Sequence, residues 1–433
     1  MNEGLDGSLF LILLIVTISV GILAWMMLRT GRERLYCMLG IAGLYVWSGI
    51  GAARPDCADG YWVLYIVFLL VMVGAFVFVS SLFPVSPVVF GRVQSGIDSR
   101  ERLWILLGGA YLLVQAFPLV YPKMRLDLLF HPPSPDVLSA LMASLNTDTL
   151  SPPLIIRSYL MSLMFPCYLI LLYVLRKHPF LQLAYIAASL YLDYVIQSYV
   201  ARSTIVASLA LFGMLRWHYG MMRKWKMVAI AVLCVLLALP LANNYVRIRQ
   251  GVPIEDMAWR GTLESAEEVF EQETRFPRNS GIIMHERKQT SIDRYLLWVA
   301  SLPLPKSLIG RDYSLMLNLE ISTFVLGRGV TEEGGYVELA GMTLEGRYIF
   351  GEDLYWIHAL MVGVLFGVLC KLTEGTPALL PASLFLGIAF LIASRTGMSG
   401  TWHIIINSFL LLYSWLAISV WTRERILPPA SNG

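Results

Sequence analysis

Long apolar runs separated by short polar breaks make up most of the chain. Eleven of them are long enough to cross a bilayer core of about 30 Å as helices. They cover about residues 8–28, 36–53, 61–83, 103–121, 159–175, 180–199, 203–222, 226–242, 355–371, 378–394 and 402–421. The runs are continuous and do not alternate apolar with polar over ten-residue stretches, which argues against a membrane β-barrel. The predicted fold class is an all-α polytopic membrane protein. Residues 180–222 show no evident loop, yet one helix of that length would reach about 65 Å, roughly twice the bilayer. The chain must therefore turn at its polar stretch, YVARST, and Arg202 opens the seventh span.

One polar interval is different in kind. Residues 243–354 number 112 and hold 17 of the 30 acidic residues and 12 of the 33 Lys/Arg. The chain divides accordingly into 1–242 with eight spans, the large loop 243–354, and 355–433 with three spans and a tail. Within the loop, 262–274 reads as an acidic amphipathic helix, with Ser265 and Glu268 spaced as a capping box. Residues 291–302 and 314–326 are apolar enough to lie at a membrane surface. The segment 332–351 carries five glycines and leads directly into the ninth span, which suits a backbone that bends close to a ligand.

Composition agrees with the pattern. The chain is 57% hydrophobic and 15% charged, against about 25% charged in soluble domains. The net charge of +3 points to no nucleic-acid partner. Cys37, Cys57, Cys167, Cys234 and Cys370 are scattered without a CxxC pair, so neither a disulfide framework nor a thiolate metal site is indicated. The opening residues, MNEGLDGS, are acidic, unlike the basic start of a cleaved signal.

Charge also orients the spans. Lys and Arg accumulate on the cytoplasmic side. With eleven spans, Arg29, Arg32, Arg34, Arg92, Arg100, Arg102, Arg176, Lys177, Arg216, Arg223, Lys224, Lys226, Lys371, Arg423 and Arg425 all fall on one face. The N-terminus is then outside, the C-terminus is inside, and the 243–354 loop is outside. Against that bias, Arg202, Arg247, Arg249 and Arg395 sit at outer junctions, where basic residues should be scarce. Asp193 and Gln197 lie one to two turns before Arg202, and ionisable groups at such depth face a cavity or a partner. Asp193 is expected to pair with Arg202 or another arginine.

No HExxH, EF-hand, P-loop, GxGxxG, GxSxG or Asp-x-Asp signature stands in a suitable context. His285 beside Glu286 reads as an exposed polar pair, and His403 lies on the first turns of the last span. What remains is arginine and a few carboxylates at one membrane face. The guanidinium fork matches phosphate oxygens in pairs and stays charged, so these residues suit a pyrophosphate carried on a lipid tail. An attacking hydroxyl also needs a base. Glu345, followed by Arg347, is the candidate; its bland alternative is a solvated loop glutamate.

The stretch ARSTIVASLALFG sets Arg202 eleven positions before Gly213. It resembles the Arg-x10-Gly motif of Wzy-type O-antigen polymerases, the oligosaccharide repeat unit polymerases. VRIRQG after the eighth span, YLLWVASLPLPKSLIGRDYSLMLNLE in the loop, TLEGRYIFG before the ninth span and SRTGMSGTWHIIIN near the end resemble further features of that family in the same order. The resemblance covers most of 180–420; it departs at Arg311, which is followed eleven positions later by Ser322 and not by glycine.

The resemblance implies a C-type glycosyltransferase-like fold in a bacterial inner membrane. It implies polymerisation of undecaprenyl-pyrophosphate-linked repeat units at the periplasmic face, as in lipopolysaccharide or other surface polysaccharide biosynthesis. Arg202, Arg247, Arg249, Arg311 and Arg395 would bind the pyrophosphates, Arg202 would share in catalysis, and Glu345 would activate the acceptor hydroxyl. The leaving group is the lipid pyrophosphate, so neither metal nor other cofactor is implied. The partners would be the donor and acceptor glycolipids, membrane lipid and a chain-length regulator. Two rival readings are an O-antigen ligase, whose loop histidine could only be His285, and a glycolipid transporter, for which no internal repeat is visible.

Overall fold

The computed structural model describes residues 6–82, 94–131, 152–197, 202–220, 279–285, 291–302, 317–327 and 341–410, with Val200, Gly261, Glu264, Ser265, Glu267, Phe270 and Thr274 as isolated positions. Every regular element among them is helical. Among the described residues eight helices are long and apolar enough to cross a membrane, so the chain is a multi-pass α-helical membrane protein. We number helices in chain order. The long ones are α1 (Gly7–Met27), α2 (Gly31–Ala52), α3 (Tyr61–Leu82), α4 (Glu101–Leu119), α5 (Pro152–Lys177), α6 (Pro179–Gln197), α11 (Gly341–Thr373) and α12 (Pro377–Thr396). Shorter ones are α7 (Arg202–His218), α8 (Ser280–His285), α9 (Ile292–Ser301), α10 (Leu317–Leu326) and α13 (Met398–Ile404). The eight long helices correspond to the first six, the ninth and the tenth predicted spans. The seventh span is α7 with 17 residues. The eighth span and the later part of the eleventh lie outside the described residues.

The chain forms two compact units. The first gathers the described parts of Met1–Val85, Phe270–Glu374 and Leu386–Ile406. Here α1 shows why these helices belong in lipid. It buries Leu13, Thr17, Val20, Gly21 and Ala24 along one stripe, while Leu11, Ile12, Ile15, Ile18 and Ile22 stand exposed on the other side. A helix that is apolar all round has no water-facing side. Its start is capped by Asp6, which accepts from the Ser8 and Leu9 amides at 3.0 and 3.2 Å. Helix α2 starts on a reciprocal capping box between Thr30 and Glu33.

Helices α3 and α11 approach closely because α11 offers glycine. A Cβ on Gly363 would stand 2.2 Å from the Met72 carbonyl oxygen, and one on Gly367 would stand 3.0 Å from Val79. Phe366 stacks on Phe390 of α12 at 4.1 Å. At one end of this unit Arg32 donates to the Thr373 carbonyl at 2.7 Å, and Lys371 sits between Glu33 and Glu374. Basic residues that the charge bias assigned to one face, after the first and ninth spans, do meet at one end of the unit. The opposite end holds Asp6, whose amide donates to Ala53 at 2.8 Å.

That opposite end also holds Cys57. Its thiol lies 3.5 Å from the Ser280 hydroxyl, which accepts from the Ala58 amide at 2.8 Å. Burial pushes the thiol up to about 11. At pH 8 only about one Cys57 in a thousand should therefore be thiolate. Alkylation followed by mass spectrometry should find Cys57 slow at pH 8 and accelerating towards pH 11, and Ser280→Ala should speed it by loosening the contact. A rate equal to that of an unfolded-peptide thiol would contradict the burial.

The second unit gathers the described parts of Ser86–Val269, Gly375–Phe385 and Asn407–Gly433. Its long helices are α4, α5 and α6. Tyr111, Tyr168 and Tyr185 form a ring column, with centroids 5.2 and 5.0 Å apart, and Tyr185 donates to the Gly108 carbonyl at 2.8 Å. Pro118 has no amide hydrogen to continue the helix ladder, and the Val114 carbonyl accepts from the Phe117 amide instead. Arg157 of α5 adds a bond to the same carbonyl at 3.3 Å, and its Nη2 donates to the Gln115 carbonyl at 3.0 Å. Gln115 in turn donates to Asp193 at 2.7 Å, and Arg157 interacts electrostatically with that carboxylate. Among the described residues Arg157 is thus an arginine that acts on Asp193. At another end of the unit Arg216 donates to the Arg176 carbonyl at 2.7 Å, and Arg176 lies 3.9 Å from Asp98.

The capping box expected at Ser265 is not there. The Ser265 amide donates to the Gly261 carbonyl at 3.0 Å, so Ser265 is already one turn inside. The Gly261 amide reaches the Glu264 carboxylate at 3.4 Å, which puts the helix start at Gly261.

Candidate functional site

The segment read as a glycine-rich entry to the ninth span is itself helical. Residues 341–350 form the first limb of α11, and Gly351 breaks the helix with φ 78° and ψ −170°, a conformation open essentially to glycine alone. The first limb folds back on the second, which begins after Gly351. A Cβ on Gly346 would stand 3.0 Å from the His358 Cβ and 3.3 Å from the Tyr355 carbonyl oxygen. In a straight helix residues 346 and 355 would be about 13 Å apart, so Gly351 is the corner of a helical hairpin. Every residue from Gly341 to Gly351 is buried.

Polar side chains on this buried limb each find a separate anchor. Thr343 sits in a hydroxyl chain, 3.1 Å from Ser48 and 2.6 Å from Tyr61. Arg347 donates to the Met284 carbonyl of α8 at 3.2 Å and pairs with Glu352 at 3.1 Å. Tyr348 donates to Glu320 of α10 at 3.0 Å, and Arg294 of α9 stands 3.7 Å from the same carboxylate. The described helices of the large loop are thus gathered around the limb. Of the two surface-lying segments expected there, α9 does expose Leu296 and Leu297, but it buries Tyr295 and Trp298.

Glu345 lies at the middle of the limb and is only 1% exposed. The solvated-glutamate reading is overturned, because the limb is packed inside the unit. Its Oε1 accepts from the Ser399 amide at 3.0 Å, at the junction between α12 and α13. Its Oε2 makes no well-formed hydrogen bond among the described residues, although the Met398 amide and the Ser399 hydroxyl also act on the carboxyl group. A Cβ on Gly397 would stand 1.8 Å from that oxygen, and Gly397 has φ 77°. The slot holding the carboxylate exists because position 397 is glycine. Gly397→Ala should therefore displace Glu345 and abolish whatever activity depends on it, while thermal unfolding shows the protein still folded. Full activity in that variant would remove Glu345 from the site.

Tyr295 completes the surroundings. It accepts from Trp402 Nε1 at 2.6 Å. Burial, and after it the Glu345 carboxylate, holds its phenol well above the ordinary range, so it is a neutral hydroxyl. The His358 imidazole is fully buried among Phe68, Tyr295 and Phe350, at ring-centroid distances of 6.0, 6.3 and 5.9 Å.

Arg395, half-buried on the last turn of α12, is two residues from Gly397. Its carbonyl oxygen would be 3.9 Å from a Cβ on Gly341. The structure thus brings Glu345 and the Arg395 turn to one junction. Arg202 opens α7 in the other unit after the short link expected there, and its side chain lies outside the described residues. Arg247, Arg249 and Arg311 lie outside them as well, as do the side chains of His285 and His403. Among the described residues no three His, Cys, Asp or Glu side chains gather as metal ligands would.

Sequence reading missed His358, Tyr295 and Trp402. A histidine inside the apolar run YWIHALMVG was a signal, since ionisable residues at membrane depth are rare. Nothing in the sequence marks Tyr295 or Trp402 as partners. No protein-family model, curated protein or solved structure matches the chain.

Proposed function

We propose that the chain is a glycosyltransferase of the periplasmic face of a bacterial inner membrane, polymerising undecaprenyl-pyrophosphate-linked repeat units into a surface polysaccharide. The observation that carries this reading is the Glu345 carboxylate. It is buried, one oxygen accepts from the Ser399 amide, the other makes no well-formed hydrogen bond among the described residues, and it stands at the junction that bears Arg395. In this reading Glu345 Oε2 takes the proton of an acceptor sugar hydroxyl. The hydroxyl oxygen bonds to the donor's anomeric carbon, and the lipid pyrophosphate leaves with the electron pair of the broken bond. Arg202, Arg247, Arg249, Arg311 and Arg395 hold the pyrophosphates and stabilise the charge that builds on them. The positive-inside bias puts the loop and these arginines at the outer face.

Surface-glycan analysis of a deletion strain complemented with Arg202→Ala tests the proposal. A polymerase predicts glycans of a single repeat and loss of the ladder of longer ones. Loss of even the single capped unit would point to a ligase or a flippase, and an unchanged ladder would remove Arg202 from the site.

A further inference from the structure

Among the described residues two buried side chains on facing limbs of the α11 hairpin have polar atoms that make no hydrogen bond. Glu345 Oε2 makes no well-formed hydrogen bond there, and neither does His358 Nδ1 or Nε2. The side chains are 1% and 0% exposed. Gly346, next to Glu345, lies directly against His358, where its absent side chain would come within 3.2 Å of the imidazole Cδ2. Tyr295 meets both, by ring contact with His358 and by electrostatic interaction with Glu345.

A buried imidazole left unpaired carries a desolvation cost that a phenyl ring in the same aromatic surroundings would not carry. A buried polar group without a partner calls for an explanation, and a catalytic role or a bound species is one. The chemistry that satisfies both groups at once is narrow. A carboxylate only accepts, whereas a neutral imidazole offers one donor and one acceptor. An alcohol donates one hydrogen and accepts at the same oxygen, so a single hydroxyl can bond to both.

We propose that His358 is a second residue of the acceptor site: it and Glu345 together hold the hydroxyl of the incoming sugar. The inference rests on the polymerase reading and names the group that the site grips. His358 donates to the hydroxyl oxygen while the hydroxyl hydrogen points at Glu345 Oε2, which aims the oxygen lone pair at the donor carbon. Tyr295, on the ten-residue α9, lies against both groups.

The test compares His358→Phe, His358→Leu, His358→Asn, His358→Gln and Glu345→Gln in the full-length protein. It uses the lipid-linked repeat unit extracted from the deletion strain as substrate. The expected result is a polymerisation rate about tenfold or more lower for His358→Phe, with a raised KM for the acceptor. Asn or Gln, which keep a donor, should restore the rate to within a few fold. Thermal midpoints should stay equal to or above the parent's. His358→Phe as active as the parent, beside an inactive Glu345→Gln, would overturn the inference and leave the polymerase reading intact. Failure of both Phe and Leu to fold while Asn and Gln fold would make His358 a structural residue and also overturn it. A parent protein that does not extend the lipid-linked unit would sink the polymerase reading itself, and this inference with it.

Discussion

Glu345→Gln should yield a folded, membrane-inserted protein that makes no polymer. The substitution is nearly isosteric, and the glutamine carbonyl can still accept from the Ser399 amide that now sits 3.0 Å from Oε1. What it removes is proton acceptance at the other oxygen. A positioned general base is worth about 10²–10⁴ in rate, so a ladder of many repeats should collapse to the single unit. Abundance in the membrane fraction should match the parent. Stability should stay close to the parent's, because an amide of nearly the same size fills the same slot. Glu345→Asp is the sharper companion. It keeps the carboxyl group but withdraws it by one methylene from the slot beside Gly397, and it should lose most of the rate as well. If Glu345→Gln polymerises at the parental rate, Glu345 is a structural group and the base lies elsewhere.

The membrane architecture was legible because its signal is large. Each span is a run of apolar residues with little charge, and α1 through α6 fall within a few residues of the expected runs apart from earlier starts at α2 and α5. The turn before Arg202 was legible for a physical reason too, since no single helix could hold 180–222 in one bilayer. What was not legible is the hairpin at Gly351. Five glycines in 332–351 indicated bending, but they did not show that 341–350 would be a helix buried on every side. Its burial depends on Ser48, Tyr61, Ser399 and Glu320, which come from distant parts of the chain and carry no local signature. For the same reason Glu345 could be nominated from its neighbours, while its slot against Gly397 could not. The surroundings of Asp193 show the limit clearly: the expectation of Arg202 or another arginine named no partner, and the contribution of Arg157 comes from a helix distant in sequence.

The largest effect on stability is expected from Lys371→Met. Lys371 pairs with Glu33 and with Glu374, and the three side chains are 11%, 1% and 8% exposed. The Glu33 carboxylate is also fixed by its backbone, with Oε2 accepting from the Arg29 and Thr30 amides at 2.8 and 3.0 Å. It cannot swing to water when the ammonium is removed. Deleting one partner of a buried ion pair costs about 3–5 kcal/mol, because the other is left buried and uncompensated. Lys371→Met should lower the unfolding midpoint in detergent by that amount. It should also free the end of α2, since the Arg32 bond to the Thr373 carbonyl at 2.7 Å draws on the same alignment. Glu33→Gln should cost less, because Lys371 keeps Glu374 at 3.1 Å. The double variant Glu33→Gln/Lys371→Met should recover part of the loss, as the uncompensated carboxylate is then reduced to Glu374 alone. That ordering separates a buried pair from two independent anchors, for which the single losses would add. A Lys371→Met midpoint within about 0.5 kcal/mol of the parent would show that this end of the helix bundle is open to water and the pair is a surface one.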